Sequence, residues 1–424
     1  MSKPKEGKLT KLEKNWILYD VANSAYVMFA CTLIPIFFDL ISQDAGLSEH
    51  QYLAYWSYAA SIATVLSMFA GPFFGAQADK KGKKKGVFLG TLIAGCIACA
   101  VCGFSYHWVL FLCIFILGKV AFNISLVVYD SMLGDITDDS RVDEVSSHGY
   151  AWGYIGSCIP FVVCLVIYVL AMLEVVPISE EIAISIGFIL TAIWWFAVSM
   201  PLYKTYQQKN YISTEEAKKE ANLFTQVGHS IKEAAKDRKI LLFLIAFFFY
   251  IDGVYTIIEE ATAFGTSLGL DSIGLLSALL VTQIVAFPSA IIIGKLSKKY
   301  SVEKLIIVCI IAYFCVGVYA IFLHTLTQFW ILACCVGMFQ GGVQALSRSY
   351  FTKIIPSEKS GELFGLYDVF GKGATFLGTF LVGAVTQATS NQNIGVAALT
   401  IFFVIGLVVF ILSTKQEASS KEES

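Results

Sequence analysis

Ionisable side chains lie inside long apolar stretches of this 424-residue sequence. Helical spacing puts Lys119 and Asn123 on one face of one stretch. In another stretch, Asp252, Tyr255 and Glu259 share a face. If such stretches cross a bilayer, an ionisable group near the centre costs about 2.5–3.5 kcal/mol on insertion scales, so each one needs a binding role or a partner. A lysine can hold an anionic group there, and a carboxyl group without a cation can bind a proton.

Structural explanations compete with these binding roles. Lys119 lies near the middle of its stretch, which favours a role as anchor for a ligand carboxylate or as partner of a buried acid. Asp252 is close to mid-depth, and with Glu259 it is the leading candidate for binding a coupling proton. Glu259 lies nearer one end of its stretch, so an outer gate or a structural pair is an equal alternative.

Other polar side chains in apolar stretches are candidates for binding a substrate or an ion. Asp368 and Lys372 are four residues apart, so they can also form an ion pair within one helix that masks both charges. Gln340 and Gln344 can contact polar groups of a ligand or form hydrogen bonds between helices. Asn23 is the best candidate in the first apolar stretch for lining a cavity.

The elements that must position these residues are twelve apolar stretches, each long enough to cross a bilayer. Charged residues make up only 15% of the sequence, whereas about 25% is usual for a soluble domain. We therefore predict an all-α membrane protein with twelve transmembrane helices. The predicted spans are 16–39, 52–78, 86–105, 108–133, 146–173, 180–202, 240–265, 272–296, 303–323, 328–351, 361–388 and 393–413.

The distribution of positive charge predicts the orientation of the chain. Every Lys and Arg outside the spans falls in alternate connections or at the termini. By the positive-inside rule, both termini and the long central loop are cytoplasmic. The first fifteen residues are polar and no small-residue cleavage site follows, so we expect a retained first helix. The eleven cysteines lie inside spans, which predicts neither a disulfide framework nor a metal site.

The hydrophilic segment 203–239 divides the chain into two halves. We predict an N-terminal six-helix bundle over 1–202, a cytoplasmic linker over 203–239, and a C-terminal six-helix bundle with a short cytoplasmic tail over 240–424. Apolar residues recur in the linker at helical spacing, which predicts an amphipathic helix on the inner membrane surface. Its apolar face would consist of Leu223, Phe224, Val227, Ile231 and Ala234.

A glycine- and lysine-rich loop follows the second span, and a weaker copy follows the eighth. Gly75 would let the second span approach a neighbour closely, and Asp79 would cap the positive N-terminus of the eleventh span near 360–362. Gly82 would permit the tight turn, while Lys83 and the neighbouring lysines hold the loop inside. The second copy has Lys298 where the acid would be, so we expect this lock in the N-terminal half only.

The first loop resembles the signature G-x-x-x-D-[RK]-x-G-[RK]-[RK] of the major facilitator superfamily. Four further regions resemble its vacuole-effluxer-like branch, which includes the fungal autophagy-related vacuolar amino-acid effluxers and bacterial relatives. They are WILYDVANSAY at 16–26, SSHGYAWGYIG at 146–156, FYIDGVYTII at 249–258, and FQGGVQALSRS at 339–349 with ELFGLYDVFGKG at 362–373. The resemblance runs from Trp16 to about Gly383. Asp130 and Asp368 depart from it, because the branch usually has Asn at these positions.

The resemblance implies a major facilitator fold in which helices 1, 4, 7 and 10 line one central site used by alternating access. It also implies efflux of amino acids or similar small metabolites. We expect a small-molecule substrate, a monomer in the bilayer, no nucleic-acid partner and no cofactor, with proton coupling left open. A bacterial cytoplasmic membrane is favoured over a vacuolar one. The alternatives are a proton-coupled importer of a small polar solute and, in another class, a non-transporting sensor or scaffold. No nucleophile–base pair, metal cluster or phosphate loop points to an enzyme.

Overall fold

The computed structural model describes residues 8–213 and 223–422. Within these ranges, twelve helices are long and apolar enough to cross a membrane, which confirms the predicted number of spans. The α-helices are α1 Lys11–Asp44, α2 Glu49–Asp79, α3 Lys84–Cys102, α4 Trp108–Ser131, α5 Leu133–Ile136, α6 Val142–Met172, α7 Glu180–Thr205, α8 Leu223–Ala234, α9 Arg238–Ser267, α10 Ser272–Leu296, α11 Val302–Ala320, α12 Leu326–Ile354, α13 Ser360–Thr389, α14 Gln392–Ala397 and α15 Thr400–Glu422.

Local sequence signals explain where several helices begin. The Thr10 side chain accepts a hydrogen bond from the Glu13 backbone, and the Glu13 side chain accepts one from the Thr10 backbone. Thr325 and Gln328 form the same reciprocal cap at the start of α12. Each pair satisfies N–H groups that the first turn of a helix leaves without partners.

The last predicted span is present as Gln392–Lys415, and it is divided into the short α14 and the long α15. Asn393 in α14 donates hydrogen bonds to the carbonyl groups of Ala320 and Leu323, 3.0 and 2.8 Å away. These bonds tie α14 to the end of α11, so a tertiary contact accompanies a break that the apolar composition did not indicate.

Large apolar side chains cover the outside of the helices. Leu117, Phe104 and Phe380 are each more than 60% exposed, and many similar residues accompany them. Continuous apolar surface on this scale is unfavourable in water and is the surface expected toward lipid. The chain is therefore a multi-pass integral membrane protein.

The chain divides into two compact units. We call the first the N-terminal unit; it consists of Met1–Ile136, Trp152–Val227 and Glu358–Gly365. The second, the C-terminal unit, consists of Thr137–Ala151, Gly228–Ser357 and Leu366–Ser424. The beginning of α6 thus belongs to the C-terminal unit, and the first turns of α13 belong to the N-terminal unit.

Aromatic side chains form much of the core of each unit. In the N-terminal unit, the Trp16 ring stacks on Tyr129 with centroids 4.5 Å apart, and both side chains are fully buried. In the C-terminal unit, Phe243 is fully buried and its ring contacts those of Tyr350 and Phe351. These large apolar contacts hold the helices that carry the polar residues at fixed positions.

The linker contains the predicted helix, α8. Its buried side chains are Gln226, Ser230 and Ala234, at a spacing of four residues, whereas Ile231 is 41% exposed. Two polar side chains and one member of the predicted apolar face, Ala234, are therefore buried against protein. The side chains of Leu223 and Phe224 lie outside the described residues, and the membrane-surface role of α8 remains a prediction.

Candidate functional site

Asp252 lies in α9, fourteen residues after the helix begins, or about 21 Å along the axis at 1.5 Å per residue. Its side chain is fully buried. The Oδ1 atom accepts hydrogen bonds from Thr256 Oγ1 and from the backbone N–H of Gly378, both at 3.1 Å. The Oδ2 atom is buried and has no hydrogen-bond partner among the described residues. Asp252 therefore sits deep in its span without a neighbouring cation in the described part of the chain.

Gly378 makes the approach of α13 to Asp252 sterically possible. A Cβ atom at this position would lie 2.0 Å from Thr256 Oγ1 and 2.4 Å from Asp252 Oδ1. Any larger residue would have to push the two helices apart. The sequence analysis missed both neighbours, although Thr256 stands at the helical spacing of four residues from Asp252 and could have been noticed.

The other ionisable candidates of the C-terminal unit have different surroundings. Asp368 and Lys372 form an ion pair with Oδ1 and Nζ 2.6 Å apart, which is the masking pair within α13 that the spacing allowed. On α9, Tyr255 is partly exposed and Glu259 is exposed. Glu259 is thus an accessible carboxyl group of this helix, with the partly exposed Glu260 beside it, whereas Asp252 is enclosed.

Two glutamines of α12 lie in the same unit. Gln340 is 4% exposed, and its Oε1 atom has no hydrogen-bond partner among the described residues. Gln344 is 9% exposed. The geometry leaves both alternatives open, namely contact with a ligand and packing between helices.

The candidates of the N-terminal unit lie on α1 and α4. Lys119 is partly exposed, about halfway along α4, with Nζ 5.9 Å from the centre of the Phe115 ring. Asn123 is buried and donates to Ser67 Oγ on α2 at 2.8 Å. Asn23 is buried and donates to the Tyr19 carbonyl at 2.9 Å. Both amides thus contribute to packing, and Lys119 is the accessible member of the three.

The contact predicted for Asp79 is present within the N-terminal unit. Its Oδ1 and Oδ2 atoms accept hydrogen bonds from the N–H groups of Gly361 and Glu362, at 2.8 and 2.9 Å. These N–H groups open α13, where the helix dipole favours a negative charge. A Cβ atom on Gly75 would lie 2.0 Å from the Gly361 carbonyl oxygen, so a glycine is required at this crossing. Gly82 has a φ of +72°, which permits the turn.

The lysine that completes this contact is Lys84, which the sequence analysis did not single out. Its side chain is fully buried, and Nζ lies 3.4 Å from Asp79 Oδ1. Nζ also donates to Ser360 Oγ at 2.8 Å and to the Ser131 carbonyl at 3.4 Å. Lys83, the motif lysine named from the sequence, is exposed.

The second copy of the loop, which lacks the acid, also makes close contacts. Within the C-terminal unit, a Cβ atom on Gly294 would lie 2.5 Å from Ser147 Cβ in α6. Two acids at the start of α6 pair with bases of the unit. Asp143 lies 2.6 Å from Lys353, and Glu144 lies 2.9 Å from Lys298. The acid absent from the second loop is therefore supplied by α6.

Arg348 of α12 strengthens these contacts. It donates to Ser146 Oγ at 2.9 Å and to the Ser146 carbonyl at 3.0 Å, and it is 2% exposed. Ser146 Oγ in turn donates to the Ala345 carbonyl at 2.8 Å. The start of α6 is thus joined to the C-terminal part of α12 by charge-assisted hydrogen bonds.

The start of the linker lies against the first loop in the N-terminal unit. Tyr206 donates to Asp135 Oδ2 at 2.5 Å, and the Asn210 backbone and side chain donate to Oδ1 at 3.0 and 2.8 Å. Burial and the Asp135 carboxylate raise the pKa of Tyr206, so the phenol stays protonated and donates. The Ile212 N–H donates to the Asp79 carbonyl at 3.0 Å. The linker is therefore bonded to the residue that caps α13.

Comparison with known families identifies the chain. The family model described as "Vacuole effluxer Atg22 like" matches residues 135–424. The chain belongs to this family. The Atg22-like chain is 40% identical over 405 residues to an uncharacterized MFS-type transporter, YxiO, of Bacillus subtilis, covering 95% of this chain and 94% of the relative.

A fungal relative and a solved structure agree with this assignment. Autophagy-related protein 22 of Kluyveromyces lactis is 24% identical over 331 residues, covering 70% of this Atg22-like chain and 65% of the fungal protein. The fucose:proton symporter FucP of Escherichia coli superimposes with a TM-score of 0.71 at 13% identity, covering 95% of this chain and 97% of FucP. The Atg22-like chain thus has the major facilitator fold and is a secondary transporter, a class of protein distinct from enzymes.

Proposed function

We propose that this protein exports a small polar metabolite, with amino acids as the leading class, across the cytoplasmic membrane of a bacterium. Support comes from the effluxer named in the family description and from the bacterial relative that aligns over nearly the whole chain. We further propose that both termini are cytoplasmic, because the loops rich in lysine and arginine lie on their side of the predicted topology.

The observation that carries the proposed substrate class is the placement of Lys119. It is partly exposed about halfway along a transmembrane helix, where a cationic side chain is costly and marks a candidate binding position. An anionic group such as a carboxylate is the natural ligand of an ammonium group. We assign Lys119 the role of receiving that group.

Glu259 is a second candidate for contact with the substrate. Its side chain is exposed on α9, whereas the side chain of Asp252 is enclosed. We therefore assign Glu259, and not Asp252, the contact with a substrate amino group. Amino acids carry such a group, which supports them as the leading substrate class.

Flux through purified protein in proteoliposomes tests this proposal. A panel of labelled amino acids is compared with sugars and organic acids of similar size. Lys119→Met is expected to abolish flux of the active solute, and Lys119→Arg to retain part of it because the charge remains. Lys304→Met is the matched control, since Lys304 is exposed at the start of α11. A well-folded Lys119→Met protein with full flux would exclude Lys119 as a substrate ligand.

Proton-coupled import is the second candidate, and the enclosed carboxyl group of Asp252 is the observation that favours it. The structural neighbour FucP is itself described as a proton symporter. Solute flux into inside-out vesicles and into right-side-out vesicles distinguishes export from import. Net accumulation of the solute on the cytoplasmic side, driven by an inward proton gradient, would show that the protein imports its substrate and does not export it.

A further inference from the structure

Asp252 is a buried acid whose hydrogen bonds are incomplete. Thr256 and Gly378 both donate to Oδ1, while Oδ2 faces no donor among the described residues. The side chain is fully buried. An ionised carboxylate in this position would hold half of its negative charge on a buried oxygen atom that has no hydrogen-bond donor among the described residues.

Charged groups on the surrounding helices do not compensate an ionised Asp252. Glu259 and Glu260, on the same helix, have the same sign as an ionised Asp252 and do not neutralise it. On α13, Lys372 lies six residues before Gly378, about 9 Å along the axis, and is paired with Asp368. Arg348 of α12 is bonded to Ser146 near the inner end. The remaining segments packed on α9 contain no Asp, Glu, Lys, Arg or His: 272–294 of α10, 305–320 of α11, 392–397 of α14 and 400–414 of α15.

We propose that Asp252 is the proton-binding site of this transporter, with the proton on Oδ2. A proton from water joins the carboxylate oxygen to form the neutral acid, and the reverse step returns it to water. The neutral acid keeps the hydrogen bonds from Thr256 and Gly378 on its carbonyl oxygen, Oδ1, so no bond is lost on protonation. A sodium ion would need several oxygen ligands, and Thr256 Oγ1 is the only described side-chain oxygen bonded to Asp252.

The close crossing at Gly378 links this proton to helix movement. The α13 backbone donates directly to Asp252, so a shift of α13 away from α9 would remove a hydrogen bond from Oδ1 and open the site. Water would then reach the carboxyl group and exchange its proton. This step rests on the proposed transport function, but proton binding can be measured without transport.

Infrared spectroscopy of the purified full-length protein tests proton binding directly. We expect a band of a neutral carboxylic acid near neutral pH, shifted by ¹³C-labelled aspartate and absent in Asp252→Asn. Thr256→Val removes a hydrogen bond that favours the ionised form, so the band should persist to higher pH in this variant. Glu259→Gln should retain the band. If labelled wild-type protein shows no neutral aspartic acid band, or the band remains in Asp252→Asn, the assignment is overturned.

Transport provides the second measurement. In Asp252→Asn, solute accumulation driven by a pH gradient should fall to the level without a gradient, while exchange of labelled for unlabelled solute continues. Asp368→Asn serves as control and should keep gradient-driven accumulation if it folds. Accumulation driven by the pH gradient in Asp252→Asn would overturn the coupling role, as would dependence on a sodium gradient instead. If the wild type transports no solute, the proposed function fails, while the infrared result still decides proton binding.

Discussion

Asp79 is 1% exposed and Lys84 is fully buried, so their ion pair forms away from water. The sequence alone suggested a helix-dipole interaction worth about 0.3–1 kcal/mol. Burial changes that magnitude, because removing one member of a buried pair leaves the other charge uncompensated at a cost of about 3–5 kcal/mol. A single substitution in this contact should therefore have a large effect on its opening.

We predict that Asp79→Asn favours the state in which this contact is open. A cysteine at Ser131, which is 2% exposed, would then react faster from the cytoplasmic side in protein lacking the native cysteines. Lys84→Gln combined with Asp79→Asn should restore part of the protection, because no uncompensated charge remains. The exposed neighbour Lys83→Gln is the control and should label like the parent protein. Unchanged labelling in Asp79→Asn would contradict a locking role for this residue.

At the scale of elements, small residues bring helices of each unit together near the predicted inner side. Gly75 lies against Gly361 in one unit, and Gly294 lies against Ser147 in the other. Both contacts have a glycine where two segments approach closely, but their charged residues are arranged differently. In the first contact the acid belongs to the loop, and in the second the acids belong to the start of α6.

The pair of Asp143 and Lys353 tests the second contact. Both side chains are largely buried, at 9% and 25% exposure, and the charged atoms are 2.6 Å apart. Reversing one charge, as in Asp143→Lys or Lys353→Asp, should lower the Tm measured by thermal unfolding in detergent. The double reversal should recover most of the loss, with a coupling energy of about 1 kcal/mol. Lys304→Asp is the control for charge reversal at an exposed site. Additive losses in the double variant would show that the pair contributes nothing.

At the scale of the whole molecule, the positive charges of the loops predict one orientation. The twelve spans and the major facilitator fold are established, whereas the side of the membrane on which the termini lie is a prediction. The linker start is a suitable reporter, because Ser213 ends a segment bonded to the first loop.

Cysteine labelling decides the orientation. In protein without native cysteines, Ser213→Cys should react with an impermeant reagent only when the cytoplasmic side is accessible. His107→Cys, in the connection before α4, should react from the outside and provides the control for reagent access. Labelling of Ser213→Cys from the outside alone would reverse the proposed orientation.

The amino-acid sequence by itself determined the number of spans and the family. Hydropathy, charge sign and motif spacing are local properties, so they can be read from the sequence without knowledge of tertiary contacts. They predicted the contact of Asp79 with the start of α13 because the motif and its usual partner are both visible in the chain. They also showed that Asp368 and Lys372 could pair, since four residues make one helical turn.

Only the tertiary structure decided which of several chemically similar residues is buried in a contact. Adjacent lysines look alike in sequence, but Lys84, the first residue of α3, is buried, whereas Lys83 just before it is exposed. Asp252 and Glu259 share a helical face, yet the approach of α13 at Gly378 encloses only Asp252. The second loop has Lys298 where the first has its acid, and Glu144 of a distant segment pairs with this lysine. These outcomes depend on packing between segments far apart in the chain, which neither composition nor periodicity specifies.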